Sequence, residues 1–357
     1  MEKVKIKLNL DDVVENLSFA NQLLIAICRV ITIDSKLIIM DEPTSALTDS
    51  EVKLLFRVIR DLKKHGISTL FVSHKINEVL EIADRITIIR DGKKVGTYDA
   101  KDMEYNKIIY LMSGREITQS SYNLNIENKK VIIETKELSK KSNYKDINLK
   151  LWEGEILGIS GLLGSGRTEF ALGLFGLNPP DSGSIFMNNK EVKIKSPIKA
   201  MKLGIGYVPE DRMKQGLFME HSIGNNIIST LLDDLLNKWK VIIENKKKNI
   251  IKYWIEKLKI KCASSEDMVL TLSGGNQQRV MLSKWLGTKP KVLILDSPTA
   301  GIDVGAKNDI LKIIRKLAEE GIGIILISDE EEELLNNCNR ILKMEKGRLL
   351  GELEVNN

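Results

Sequence analysis

Cysteine is nearly absent: Cys28, Cys262 and Cys338 are the only three in 357 residues. An odd number at wide spacing, with no Cys-x-x-Cys, excludes a disulfide framework and a zinc site, and suits a reducing compartment. No apolar run approaches the ~20 residues that span a bilayer. The start, Met1-Glu2-Lys3-Val4-Lys5, lacks the apolar centre of a secretory signal. One-signed charge is lacking too. Lys and Arg number 54 against 49 Asp and Glu, and the net +5 is scattered, so no basic stripe for nucleic acid stands out. What is present is 43% apolar and 29% charged residues, enough for ordinary cores under a water-facing exterior. At about 150 residues per domain the length suggests two domains. These bounds predict a soluble, intracellular protein of mixed α/β type.

The sequence repeats itself. LSFANQ begins at Leu17 and LSGGNQ at Leu272, a shift of 255 (272 − 17). KLIIMDEPT, ending at Thr44, and KVLILDSPT, ending at Thr299, show the same shift, as do VIRDLKKHGI, ending at Ile67, and IIRKLAEEGI, ending at Ile322. Arg85 and Arg340, then Gly92 and Gly347, extend it, so that about 75 residues hold one register without a gap. That period is too long for a solenoid and indicates a duplicated domain. The second copy begins near Val131 and carries GLLGSGRT at Gly161–Thr168. The counterpart of Gly166 would fall at 166 − 255 = −89, before Met1. The expected layout is therefore the C-terminal half of a first domain over 1–115, a polar linker over 116–130, and a second, complete domain over 131–357.

Periodicity places the elements. Leu24, Ile27, Cys28 and Ile31 predict a helix over 18–33, and Leu37 to Met40 reads as a buried parallel strand running into Asp41. Glu51 to Lys64 is an amphipathic helix stopped by Gly66, and Ser68 to Ser73 a second buried strand. Strand, helix, strand implies a parallel sheet with crossover helices. In the second copy Gly154–Ser160 is a strand, and Thr168–Leu174 opens a helix. The Lys-rich stretch from Asn237 to Lys259 reads as a helix with a solvated face.

Several groups can carry chemistry. GLLGSGRT fits G-x-x-x-x-G-[KR]-T, a Gly-rich turn whose amides converge on phosphate at a helix start, with Thr168 able to reach Mg²⁺. Arg167 keeps the positive charge where the pattern expects lysine, but a planar fork is not a compact ammonium. Asp41 and Asp296 end apolar strands, where a carboxylate faces the ligand crevice and can hold magnesium through water. The next position should orient or activate water. It is Glu42 in the first copy and Ser297 in the second, and losing a positioned base costs ~10²–10⁴-fold. His74, after strand TLFVS, can donate to a γ-phosphate; its counterpart Asp329 would repel one. LSGGNQQ at Leu272–Gln278 is an anion-binding helix start, with LSFANQ a weaker copy, and each alone could be an ordinary cap. Glu210, in GIGYVPEDR, could sense nucleotide or touch a partner. Tyr144 reads as a core tyrosine sooner than an adenine stacker.

DEPTSALT, GLLGSGRTEF, GIGYVPEDR, LSGGNQQRV and PTAGIDVGAK, taken together, resemble the ATP-binding cassette proteins. More narrowly, the chain resembles the double-cassette ATPases of ribose, galactose, arabinose and xylose importers from Leu17 to Glu352. Related nucleoside importers usually carry Gln where Arg167 stands, which favours sugars. The resemblance implies an α/β P-loop NTPase fold with a parallel-sheet core and a helical subdomain, the second cassette complete and the first present as its C-terminal half. It implies ATP and Mg²⁺, each nucleotide lying between the cradle of one cassette and the signature of the other. One site would gather Gly161, Gly164, Ser165, Gly166, Arg167, Thr168, Glu210 and Asp296 with the opposing Ser18, its metal held by Thr168 and Asp296. The other would use the signature Ser273, Gly274, Gly275 and Gln277, with metal at Asp41 and catalysis by Glu42 and His74. Ser297 and Asp329 make the first of these degenerate. The chain is thus expected to bind Mg-ATP weakly and hydrolyse it little, and residues 1–115 to be poorly stable alone. The implied partners are transmembrane sugar permease subunits, an extracytoplasmic sugar-binding protein acting indirectly, and a complementary N-terminal cassette fragment. The implied place is the cytoplasmic face of the membrane, peripherally bound. The competing reading is a non-hydrolysing nucleotide-binding fragment or decayed gene product.

Overall fold

A computed structural model describes residues 11–32, 35–44, 47–73, 75–90, 92–114, 129–162 and 164–353. His74 and nearly all of the expected linker lie outside them. The chain divides into two compact units, Met1–Ile117 and Thr118–Asn357. No helix among the described residues is long and apolar enough to cross a membrane.

The first unit runs α1 (Phe19–Ile31), β1 (Leu37–Asp41), α2 (Asp49–Lys64), β2 (Ser68–Val72), α3 (Ile76–Ile82), β3 (Arg85–Arg90), β4 (Lys93–Asp99) and α4 (Tyr105–Ser113). Thr48 starts α2, its N–H donating to Glu51 Oε2 at 2.8 Å, the reach-back of a capping box. Gly66, at φ +76°, lets the chain turn after it. The apolar stripe Leu55, Phe56, Val58, Ile59 and Leu62 packs with Leu24 and Ile27 of α1 onto Ile38 and Met40 of β1. β1 and β2 pair in parallel, and β3 and β4 form an antiparallel hairpin. The expectation of fully buried strands needs correction. β1 and β2 alternate, and Leu37, Ile39, Leu70 and Val72 are exposed. The covering is one-sided: α1 and α2 pack on Ile38 and Met40, while Leu37, Ile39, Leu70 and Val72 on the other face stay exposed.

The second unit continues with β5 (Val131–Lys140), β6 (Tyr144–Trp152), β7 (Ile156–Ser160), α5 (Arg167–Phe175), β8 (Ser182–Met187), β9 (Lys190–Val192), α6 (Pro197–Lys202) and β10 (Ile205–Val208). Then come α7 (Ile223–Ile228), α8 (Leu232–Leu235), α9 (Glu244–Lys257), α10 (Gly274–Leu286), β11 (Val292–Asp296), α11 (Val304–Glu319), β12 (Gly323–Ile327), α12 (Glu331–Asn337), β13 (Arg340–Glu345) and β14 (Arg348–Leu353). A six-stranded sheet has the order β10-β11-β12-β7-β13-β14, parallel except for β14. An antiparallel sheet, β6-β5-β8-β9, forms a second layer. The Lys-rich stretch is helical only from Glu244. Before it the Asn237 side chain accepts from the amides of Trp239 and Val241, closing a turn that competes with helix.

The repeat holds in three dimensions. α1, β1, α2, β2 and α3 have the bounds of α10, β11, α11, β12 and α12 shifted by 255 (274 − 19). The strand register shifts equally: Leu37 opposes Ser68, and Val292 opposes Gly323.

Candidate functional site

Strand β7 is apolar and sandwiched between β12 and β13, so it fixes the loop that follows it. Two glycines there are required by close approach. A Cβ on Gly161 would collide with the Met344 carbonyl, and one on Gly166 would lie 2.8 Å from the Asn143 carbonyl, where φ is +101°. Gly164, at φ +76°, has open space around it. Ser165 donates its amide to the Leu162 carbonyl at 3.0 Å, while its buried hydroxyl has no hydrogen-bond partner. A buried hydroxyl without a partner costs free energy until something polar reaches it. The turn therefore fits an oxyanion.

Thr168, in the first turn of α5, lies beside Asp296 and favours its ionised carboxylate. Asp296 is buried at the end of β11 and also accepts from the Tyr207 hydroxyl at 3.2 Å. Burial pushes its carboxyl up to about 6; Glu210 adds to the rise, while Thr168, Tyr207 and Arg167 oppose it. Glu210 is raised by burial first and then by Asp329, and Arg167 offsets part of this. Among the described residues no three His, Cys, Asp or Glu side chains gather into a metal cage. A divalent ion at Thr168 and Asp296 would draw most of its ligands from phosphate and water, the ordinary habit of Mg²⁺.

Arg167 is buried and points across the sheet edge. Its Nη1 donates to the Ser328 carbonyl at 2.9 Å, and its Nη2 pairs with Asp329. The sequence made Asp329 a lone repelling anion; in the fold it is the guanidinium's partner.

Ser297 donates its amide to Ile327 at 2.9 Å with φ +45°. Glu42 repeats this with Val72, also at 2.9 Å, with φ +47°. Glu42 is half-buried beside the exposed Asp41. His74 lies outside the described residues.

The signature residues play different parts. Ser273 stands at the start of α10 with no side-chain capping bond, is exposed, and accepts from Asn276 Nδ2 at 3.0 Å. Gly274 and Gly275 let α10 come close to its neighbours: a Cβ would lie 3.1 Å from Arg212 Nη2 and 2.5 Å from Ala306 Cβ, respectively. Gln277 is buried, accepting from Arg212 Nε at 3.2 Å and donating to the Leu272 carbonyl at 3.1 Å. In the first unit Ser18 is exposed and accepts from the Asn21 amide at 3.4 Å. The fold brings together Thr168, Asp296, Glu210 and Arg167 around the cradle, and Ser273 to Gln277 around Arg212.

Tyr207 and Arg212 were missed as individual residues, although both lie in GIGYVPEDR. Arg212 donates to Gln277 and to the carbonyls of Ala300 (2.8 Å) and Gly301 (3.1 Å), tying the signature helix to the loop after β11. A long cation following two acids was the available signal. Tyr144 is core, buried edge-on to Phe170 at 5.7 Å, with its hydroxyl pushed up to about 12 by burial.

Residues 144–300 match the family described as ABC transporter. The chain is 41% identical, over its whole length and 72% of the relative's, to the ribose import ATP-binding protein RbsA of Bacillus licheniformis. It is 43% identical to the galactose/methyl galactoside import ATP-binding protein MglA of Clostridium tetani, over 98% of this chain and 70% of that one. Among solved structures, cbiO1 from Clostridium perfringens, part of an ABC transporter complex, superposes with a TM-score of 0.54 at 27% identity, covering 63% of this chain and 89% of that one. A nucleotide-free ATP-binding cassette reaches a TM-score of 0.55 at 24% identity, over 62% of this chain and 90% of that one.

Proposed function

Because the chain belongs to the ABC transporter family, alongside the ribose and galactose import ATP-binding proteins, we propose that it is the ATP-binding subunit of a monosaccharide importer. Its similarity along the whole length to import proteins favours this over a decayed or non-hydrolysing fragment. The observation that carries the reading is the partnerless buried Ser165 hydroxyl in a turn where Gly161 and Gly166 admit no side chain, beside the Thr168–Asp296 pair. The amides of 164–168 receive nucleotide phosphates, helped by the positive end of α5. Mg²⁺, where bound, neutralises phosphate charge. Thr168 and Asp296 would hold it, Tyr207 orients Asp296, and the Arg167 guanidinium balances the surrounding carboxylates. Ser18 and the Ser273–Gln277 helix start serve as the signature motifs of their cassettes. At the site of Arg167, Ser297 cannot take a proton from water, so this site binds more than it turns over. Glu42 and His74 are assigned to the hydrolysing site. The subunit works on the cytoplasmic face of the membrane, against transmembrane permease subunits fed by an extracytoplasmic sugar-binding protein.

Equilibrium dialysis of the full chain with labelled ATP tests this. Binding should require Mg²⁺ and weaken at least tenfold, about 1.4 kcal/mol, in Asp296→Ala and in Thr168→Ala. Binding that ignores both substitutions and EDTA would remove the reading.

A further inference from the structure

Strand β12 lies directly beside β7, with Ile327 opposite Ile159, so the residues after each strand share one edge of the sheet. The loop after β7 is the phosphate cradle; the loop after β12 is Ser328 and Asp329. Arg167 joins the two. One guanidinium nitrogen is taken by the Ser328 carbonyl at 2.9 Å and another by the Asp329 carboxylate. The Asp329 side chain is 56% exposed, on the open side of the edge. Two further carboxylates act on the same group: Asp296 and Glu210 both sense Arg167, and Glu210 also senses Asp329. The nearby Lys307 is committed to Glu330 and Glu333. Among the described residues Arg167 is thus ion-paired with Asp329 and within electrostatic reach of two more carboxylates, on the edge that carries the cradle.

We propose that Asp329 makes this cradle prefer a nucleoside diphosphate to a triphosphate, its carboxylate taking the guanidinium that a terminal phosphate would need. This inference rests on the nucleotide-binding reading above. Arginine grips carboxylate and phosphate with the same planar fork, so the two compete for it. Two phosphates held by the cradle amides and by Thr168 leave the Arg167–Asp329 pair intact. A third must displace Asp329 and then sit beside it, like charge against like charge. The other repeat carries His74 in this register, a donor in place of an acceptor. With Ser297 unable to activate water, the arrangement suits a site that holds a diphosphate and signals its presence.

Calorimetric titration of the full chain with Mg-ADP, and separately with the Mg complex of β,γ-methylene ATP, reads the preference without turnover. Wild type should bind the diphosphate at least as tightly as the triphosphate analogue. Asp329→Asn and Asp329→Ser should tighten analogue binding about tenfold, some 1.4 kcal/mol, and change ADP binding less than about threefold. Asp329→Glu should keep the diphosphate preference. Tenfold tighter analogue binding by wild type, or a ratio that neither Asn nor Ser moves, would overturn the proposal while leaving nucleotide binding in place. Failure of both nucleotides to bind any variant would overturn it together with the reading beneath it.

Discussion

Thr44 donates its hydroxyl to Glu78 at 2.5 Å, and 255 residues later (299 − 44) Thr299 donates to Glu333 at 2.6 Å. The bond is the same, but its support is not. Glu78 is balanced by Lys75, 3.4 Å away and one turn before it on the same segment. The counterpart of Lys75 is Glu330, so Glu333 takes its charge partner from Lys307 of α11, at 2.9 Å. Burial differs more. Ile39 of β1 is 65% exposed, while its counterpart Ile294 is 0% exposed between β10 and β12. Arg85 is exposed; Arg340 donates from Nε to the buried Glu155 at 2.7 Å and stacks on Trp152. A Cβ on Gly323 would meet Ile132 and Leu151 of the overlying antiparallel sheet, so any side chain there forces them to shift. Its counterpart Ser68 is exposed. Local pattern thus sets element bounds and caps, and the second layer sets burial.

Four measurements press on that comparison. The largest expected effect is in amide exchange: β1 and β2, covered on one side, should exchange on the order of 10³-fold faster than β11 and β12, since protection follows the free energy of opening. Equal protection would mean the exposed face is covered in solution. Next, Gly323→Ser should cost the second unit ~2–3 kcal/mol by overpacking, read in urea unfolding, whereas Ser68→Gly should change the first by less than ~1 kcal/mol. Third, in nucleotide-free protein the carboxyl of Asp296 rises from 3.8 to about 6 on folding. The folded state then binds more protons than the unfolded between those values, so stability should fall as pH rises through that window. The fall should be on the order of 2–3 kcal/mol in all and absent in Asp296→Asn. The smallest effect separates the paired threonines. Thr299→Val should cost about 2 kcal/mol, because Glu333 is buried, and Thr44→Val about 1 kcal/mol. Equal costs would show that burial does not set the strength of this bond.

Much of this was legible in the sequence because the repeat reads twice. Strands β1 and β2, helix α2 and the Gly-rich turn after β7 fell where period and punctuation put them. What could not be read was pairing across distance. Arg167 and Asp329 stand 162 residues apart, and the sequence shows Asp329 only as a missing histidine. Arg212 was one cation among many until the fold set it against Gln277 and the Ala300–Gly301 carbonyls. Exposure of Ile39 and Leu70 was illegible because an apolar strand reads alike whether one face or two are packed. In 237–259 a single asparagine, stopping its own segment, outweighed seven residues of apparent helix.

The bend at Glu42 and Ser297 has a consequence of its own. A non-glycine residue with φ near +46° costs of order 1–3 kcal/mol and persists only where its surroundings impose it. Serine keeps the curvature as faithfully as glutamate does, so the curvature belongs to the corner and not to the acid. Evolution could exchange the tenant without rebuilding the room: Ser297→Glu should leave the backbone of the corner unchanged, and its cost in urea titration should come from setting a carboxylate beside buried Asp296 and vanish in Ser297→Gln.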